Sequence, residues 1–228
     1  MYGFVVNNYN DKKLIDLTKR LFDIDAYESD ILRTVMENAW ERTMICFSRI
    51  RNPRFNHGGV QIYHSVQYTM YLYFLENEIY VNFLLKQKEV ETAQRICDKL
   101  FMTRFQLSGM DLYYGQKMPD IWLAAHTSGV VFSPKAEIGD FFMFMQGCNL
   151  GISNGGAPKI GKGVILWGDS KIIGNCHIGN YVMFGANSYI KDMDIPGGSI
   201  VFGQYPDIII KENQEDRVLE CLKERFYI

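Results

Sequence analysis

No excess of basic residues marks this sequence of 228 residues. Its 24 Lys and Arg face 26 Asp and Glu, a formal net charge of −2. A protein that holds nucleic acid by neutralising phosphates carries a basic surplus, and one drawn to anionic lipid carries a polybasic run. Neither is present, so no nucleic-acid or membrane-surface partner is expected. Long apolar runs are missing too. Stretches such as Phe141–Met145 fall far short of the ~20 residues a membrane span takes. Met1 to Asn10 lack the basic-then-apolar order of a signal peptide. The five cysteines are odd in number and show no CxxC spacing, which points to a reduced, cytoplasmic chain. The four histidines are scattered without paired spacing, so no metal site is expected.

Glycine is scarce before residue 108, where only Gly3, Gly58 and Gly59 occur, and frequent after it. In the first stretch apolar residues recur at helical spacing. Leu14, Leu17 and Leu21 form one stripe. Ser29 is placed to cap a helix whose inner face is Leu32, Val35, Met36, Ala39, Thr43, Cys46 and Ile50, stopped by Asn52-Pro53. A third segment, 60–86, is rich in Tyr, Phe and Leu. A fourth, 88–106, carries Val90, Ala93, Cys97, Leu100 and Phe101 on one face.

Beyond residue 108 the helical period gives way to a period of six. Set as position i, the recurring residues are Ile138, Phe144, Leu150, Ile160, Leu166, Ile172, Ile178, Phe184 and Ile190. One step is longer, from Leu150 to Ile160, a four-residue insertion around Asn154-Gly155-Gly156. The i+4 residues are Phe142, Cys148, Val164, Ser170, Cys176, Val182 and Ser188, all short except Phe142. A narrow prism needs this pattern. Three six-residue strands close a triangular coil, i fills the axis, and i+4 turns inward where room is small. The segment holds about four such coils. Helical spacing resumes at the end, with Val218, Leu222 and Phe226 on one face, Glu215 and Asp216 in the first turn, and Lys223 and Arg225 in the last. The expected fold is α+β: an α-helical domain over 1–108, a parallel β-helix over 109–210, and a short C-terminal helix within 211–228.

The repeat resembles that of hexapeptide acyltransferases, which implies a left-handed β-helix, an exception to the right-handed rule for parallel crossovers. Within that group one stretch is similar to serine O-acetyltransferase. It runs through His126-Thr127-Ser128-Gly129-Val130-Val131, Ala136-Glu137-Ile138, Gln146, Leu150-Gly151, Pro158-Lys159-Ile160, Ile173-Gly174-Asn175 and Gly198-Ser199-Ile200-Val201. The similarity covers about residues 110–210. The helical half and the β-helix together resemble serine-acetyltransferase-like proteins of bacterial surface-polysaccharide pathways.

The resemblance implies acetyl-CoA as co-substrate and a hydroxyl-bearing small molecule or sugar as acceptor. It implies His126, opening His-x-x-Gly, as the catalytic base, with Asp111 fifteen residues before it. Gly151, Gly168 and Ala186 fall where small residues line the donor groove, and Asn154 and Gly155 form a loop that covers the thioester. A homotrimer, or a dimer of trimers, is the implied assembly. Three departures lie on the acceptor side. Ala125 replaces the family's aspartate before the histidine, Gly156-Ala157 replace its Arg-His, and Gly203-Gln204-Tyr205-Pro206 replace its closing Gly-Val-Pro-Ala.

The residues themselves allow this chemistry. Acyl transfer to a hydroxyl needs a base, a held donor and a stabilised oxyanion. Upstream of Ile138 the register slips by two. Continued from Val130, it makes Ala124 an i residue and His126 an outward i+2 residue, whose imidazole titrates near neutral pH. Asp111 and Asp120 are candidates to orient it. Cys148 and Cys176 fall on interior positions, and His177, at i+5, faces solvent. His64 lines an acceptor site or packs. An N-acyltransferase acting on an amino sugar and a non-catalytic hexapeptide scaffold are the competing readings.

Overall fold

The structure, a computed structural model, describes residues 5–13, 16, 23–55 and 57–228. The stripe of Leu14, Leu17 and Leu21 lies outside these residues. The chain divides into two units, one of residues 1–48 and 52–109, the other of 49–51 and 110–228.

The first unit is helical. Helix α1 (Ala26–Arg49) buries Leu32, Val35, Met36, Ala39, Thr43 and Cys46 as its spacing predicts. Its start differs. The Glu28 N–H donates to Asp25 Oδ1 at 2.7 Å, and the Asp25 N–H donates to Glu28 Oε2 at 3.1 Å. This reciprocal capping box begins the helix ahead of Ser29, which lies buried in the first turn. Helix α2 (Ser65–Ile79) is buried on every side from Val66 to Ile79 and continues through a wider π turn, Tyr80–Leu84. A helix enclosed all round has no polar face, and therefore no legible period. His64 is its N-cap, with Nδ1 accepting the Gln67 N–H at 3.4 Å and the Phe55 ring edge-on at 5.9 Å. His64 thus packs and caps. Helix α3 (Val90–Ser108) buries Ala93, Ile96, Cys97, Leu100 and Arg104, whereas Val90 is exposed. Gly109 ends it at φ +64, its N–H bonded to the Phe105 carbonyl, a conformation glycine adopts without steric cost. The Arg104 guanidinium donates to Glu76 at 2.7 Å with both side chains fully buried.

The second unit is a parallel β-helix of about five turns, one more than the repeat count suggests, followed by a short helix. Its first face stacks Asp111–Leu112, Val131–Phe132, Asn149–Gly151, Lys171–Ile173 and Tyr189–Lys191. The second stacks Trp122–Ala124, Phe142–Phe144, Ile165–Leu166, Met183–Phe184 and the start of Ile200–Gln204. The third stacks Glu137–Ile138, Lys159–Ile160 and His177–Ile178, bridged on to Ile195. The i residues fill the axis as expected: Phe144, Leu150, Leu166, Ile172, Phe184 and Ile190 are fully buried. So are the i+4 residues, Cys148, Val164, Ser170, Cys176, Val182 and Ser188 among them. The large Phe142 fits because one inward column tapers from coil to coil, from Trp122 through Phe142, Val164 and Val182 to Ser199.

Two irregularities break the six-residue step. Leu150 pairs with Ile172 and Ile160 with Ile178, so the extra residues between them leave the prism as a loop. Ala124 pairs with Phe144 and Phe132 with Leu150, so the corner after Ala124 also carries two extra residues. Val130 therefore sits in the i+4 column beside Cys148 rather than at i, with the Val131 N–H bonded to the Cys148 carbonyl. Ala124 keeps its i position and is fully buried.

The hairpin Ile200–Gln204 and Asp207–Lys211 closes the stack. Helix α4 (Glu215–Lys223) lies along the prism through Val218, Leu222 and Phe226. Phe226 meets the Phe141 ring edge-on at 5.6 Å. The helix packs on its own prism, as its apolar face requires.

Candidate active site

The corner between the second and first faces carries His126. The strand pairing sets its neighbours. Ala124, Phe144, Leu166 and Phe184 are in register. Past them Ser128, Gln146, Gly168 and Ala186 form one column along the prism, because the Gly147 N–H bonds to the Ser128 carbonyl as the Asp169 N–H bonds to that of Gln146 and the Asn187 N–H to that of Gly168. His126 and Thr127 are the two extra residues at the head of this column. Consecutive coils are ~4.8 Å apart, so the column runs ~14 Å from the corner of His126 and Ser128 to Ala186. One position earlier, Ala125, Met145, Trp167, Gly185 and Phe202 form a second, largely apolar column beside it.

His126 is exposed, as the outward position predicts, and Ala186 is exposed at the other end. Gly168 is buried between them, because the Gln146 carboxamide lies across it: a Cβ there would come within 2.5 Å of Gln146 Nε2. The two-residue enlargement lies between Ala125 and Ser128 and consists of His126 and Thr127. The corner ends in a turn at Gly129, φ +71, where the Val130 N–H bonds to the Thr127 carbonyl.

The other candidate residues lie elsewhere. Asp111 is exposed on the first face, paired with Val131, and Asp120 is exposed ahead of Trp122. Among the described residues neither carboxylate hydrogen-bonds the His126 imidazole. Gly151 is on the first face, where a Cβ would run into Ile173 Cδ1 at 2.6 Å. Asn154 and Gly155, at φ +49 and +81, are the tip of a two-residue hairpin closed by Ser153–Gly156 backbone bonds at the next corner. In one chain, then, His126, Gly168 and Ala186 come together, and Gly151, Asn154 and Gly155 stand apart from them.

That hairpin holds a sequence signal worth dismissing on geometry. Gly151-Ile152-Ser153-Asn154-Gly155 spells G-x-S-x-G, the pattern of a nucleophile elbow. An elbow needs a strand-to-helix turn, whereas Ser153 sits at the base of a hairpin with its hydroxyl 3.3 Å from Asp192. The interior thiols serve no better as nucleophiles. Burial pushes the Cys148 and Cys176 thiols up, and Cys148 Sγ points inward at the Leu166 and Trp167 carbonyls.

Sequence reasoning gave no site role to Gln146 or to the apolar column with Met145 and Trp167. Only the coil-to-coil register shows that these flank His126. It also missed the partner of His177, whose Nδ1 lies 3.0 Å from Asp194 across the third face. The His177 backbone N–H, and then its ring, hold the Asp194 carboxyl below its usual value. Among the described residues no group of three or more His, Cys, Asp or Glu gathers to hold a metal ion.

Comparison with known proteins bears on the fold and the family. The bacterial transferase hexapeptide (six repeats) family matches residues 157–192. Serine acetyltransferase of Staphylococcus xylosus is 30% identical over 157 residues, covering 62% of this chain and 70% of the relative. Serine acetyltransferase of Staphylococcus aureus strain Mu50 is 31% identical over 134 residues, covering 57% of this chain. This chain spans 60% of that relative's length. Among solved structures, serine acetyltransferase from Brucella abortus strain S19 in complex with coenzyme A matches with a TM-score of 0.64 at 20% identity. The match covers 86% of this chain and 80% of that one. The fold is thus the left-handed parallel β-helix preceded by helices, and the chain belongs to the serine acetyltransferase family.

Proposed function

We propose that the chain is an acetyl-CoA-dependent O-acetyltransferase that passes the acetyl group directly to a hydroxyl of a small molecule or sugar. One observation carries this reading: the exposed His126 lies in the enlarged corner at the head of the column that runs through Gln146 and Gly168 to Ala186. A relative's complex with coenzyme A supports the donor. The pantetheine arm lies along the column, with its thioester near His126 and its far end beyond Ala186.

His126 accepts the acceptor's hydroxyl proton as that oxygen bonds to the thioester carbonyl carbon. The carbonyl electron pair moves to oxygen and returns as the C–S bond breaks. The imidazolium then gives its proton to the departing thiolate, so an ester and a free thiol leave and His126 is neutral again. Asp111 is assigned to orient the imidazole through its second nitrogen. Its carboxylate is exposed and makes no bond among the described residues, so it is free to turn. Gly151, Asn154 and Gly155 join the site in a homotrimer, where this corner of one copy faces the His126 column of the next and the hairpin covers the thioester.

The acceptor follows from what the hairpin lacks. Residues 152–157 carry no charged side chain. That supports an uncharged hydroxyl acceptor such as a sugar over an amino acid held by its carboxylate. The free state of all five cysteines supports a reducing, cytoplasmic setting, and no helix among the described residues is long and apolar enough to cross a membrane. The test is mass spectrometry of hydroxyl and amine acceptors incubated with acetyl-CoA. Acetylated hydroxyl compounds are expected. Acetylation of amines alone contradicts O-transfer, and no acetylation of any acceptor contradicts the enzyme reading.

A further inference from the structure

We infer that Gln146 reads the amide of the donor arm nearest its sulfur and so selects pantetheine thioesters; this rests on the donor placement proposed above. Three observations meet at this side chain. Gln146 occupies the column one coil beyond the corner that carries His126, next to the small residues Gly168 and Ala186. It is half-buried at the corner, with Met145 and Trp167 beside it in the apolar column. Its carboxamide has no hydrogen-bond partner among the described residues and rests across Gly168.

Glycine at 168 has a local cause in this arrangement. Any Cβ would push the carboxamide off the column. The group is thus held at a fixed height with both its donor and its acceptor unspent. A half-buried carboxamide is satisfied by water or by a ligand that offers both complements.

Height decides which ligand group it meets. Gly168 lies two coils from His126, ~10 Å along the prism. The thioester carbon must stay within hydrogen-bond reach of the acceptor oxygen at His126, so the carboxamide is too far along to face the developing oxyanion. In a pantetheine arm two methylenes, about 4 Å, separate sulfur from the next amide nitrogen. That amide falls at the height of Gln146. A secondary amide presents one C=O and one N–H, which a carboxamide matches with its own NH2 and oxygen. Met145 and Trp167 flank the methylenes between.

The test uses the whole chain and needs no acceptor. Coenzyme A, and an analogue with an ester in place of the amide nearest the thiol, are titrated by calorimetry into the wild type and into Gln146→Met. Methionine keeps the length and cover over Gly168 but cannot pair. The wild type is expected to bind coenzyme A about 5- to 50-fold more tightly than the analogue, as one or two neutral hydrogen bonds allow. Gln146→Met is expected to lose that preference, with an unchanged melting temperature. Equal weakening of both ligands, or a preference kept in the variant, overturns the assignment while leaving the donor column standing. Failure of the wild type to bind coenzyme A overturns the donor column, and this inference with it.

Discussion

Arg104 and Glu76 form an ion pair with no water around it, and this sets a pH response in the helical unit. Burial pushes the Glu76 carboxyl up to about 7 from an ordinary 4.5, against the pull of Arg104. Because the folded value lies above the unfolded one, the folded protein holds the extra proton between them. The contribution is complete below about pH 4.5 and is lost as pH rises through about 7. A melting-temperature series from pH 4 to 8 should show that decline, and Glu76→Gln should flatten it. A wild type without the decline contradicts the assignment. Removing only the guanidinium, in Arg104→Ala, takes away the group that pulls the Glu76 carboxyl down, so the decline should run on to higher pH in the same series. Residues of this kind are hard to read in a sequence. Arg104 stands on a helix face like any solvated arginine, and only the enclosed helix α2 reveals why it is inside. His64 is similar. Its place before a helix is legible, but not that its ring accepts the Gln67 N–H and caps that helix.

At the scale of elements, the hexapeptide repeat was open to reading because its rule is local: every sixth residue fills the axis and every i+4 residue must be small. The same locality hid the exceptions. The slip above Ile138 could be counted, but not that its two extra residues are His126 and Thr127 at the corner itself. That placement depends on Phe132 pairing with Leu150, a long-range fact. The Asp25–Glu28 capping box was missed because Ser29 offered a second cap four residues on. The donor column has its own test. Ala186 is exposed, so Ala186→Leu should leave the melting temperature nearly unchanged while weakening acetyl-CoA binding at least about tenfold, ~1.4 kcal/mol. If Ala186 instead mattered only to packing, the leucine would lower stability by about 1–3 kcal/mol and leave donor affinity alone. Calorimetry beside a melting curve separates the two results.

For the whole molecule, the residues assigned to donor binding occupy two different corners of one prism. His126, Gly168 and Ala186 share one, and Gly151, Asn154 and Gly155 hold another. A site that uses both sets needs a second copy of the chain, so a homotrimer is expected in solution. Light scattering at micromolar concentration should give three times the chain mass or a multiple of it. A monomer that still binds acetyl-CoA with full affinity would remove the hairpin from the site. The departures from the family pattern were legible at this scale as well: Gly156-Ala157 leave a hairpin without charge. The acceptor's identity was not legible, because the residues that depart from the family pattern carry no charge that would name a partner.

The most direct measurement compares the wild type with His126→Ala by mass spectrometry of an acceptor panel with acetyl-CoA, together with the circular dichroism and oligomer mass of both. His126 is exposed at a corner, outside the interior columns, so its removal opens no cavity and should leave fold and assembly intact. As the base it should contribute about 10²–10⁴-fold to turnover. The predicted result is an acetylated hydroxyl compound made by the wild type, and its formation slowed by that factor in a variant of normal fold and mass. A correctly folded His126→Ala with undiminished turnover would contradict the proposed site.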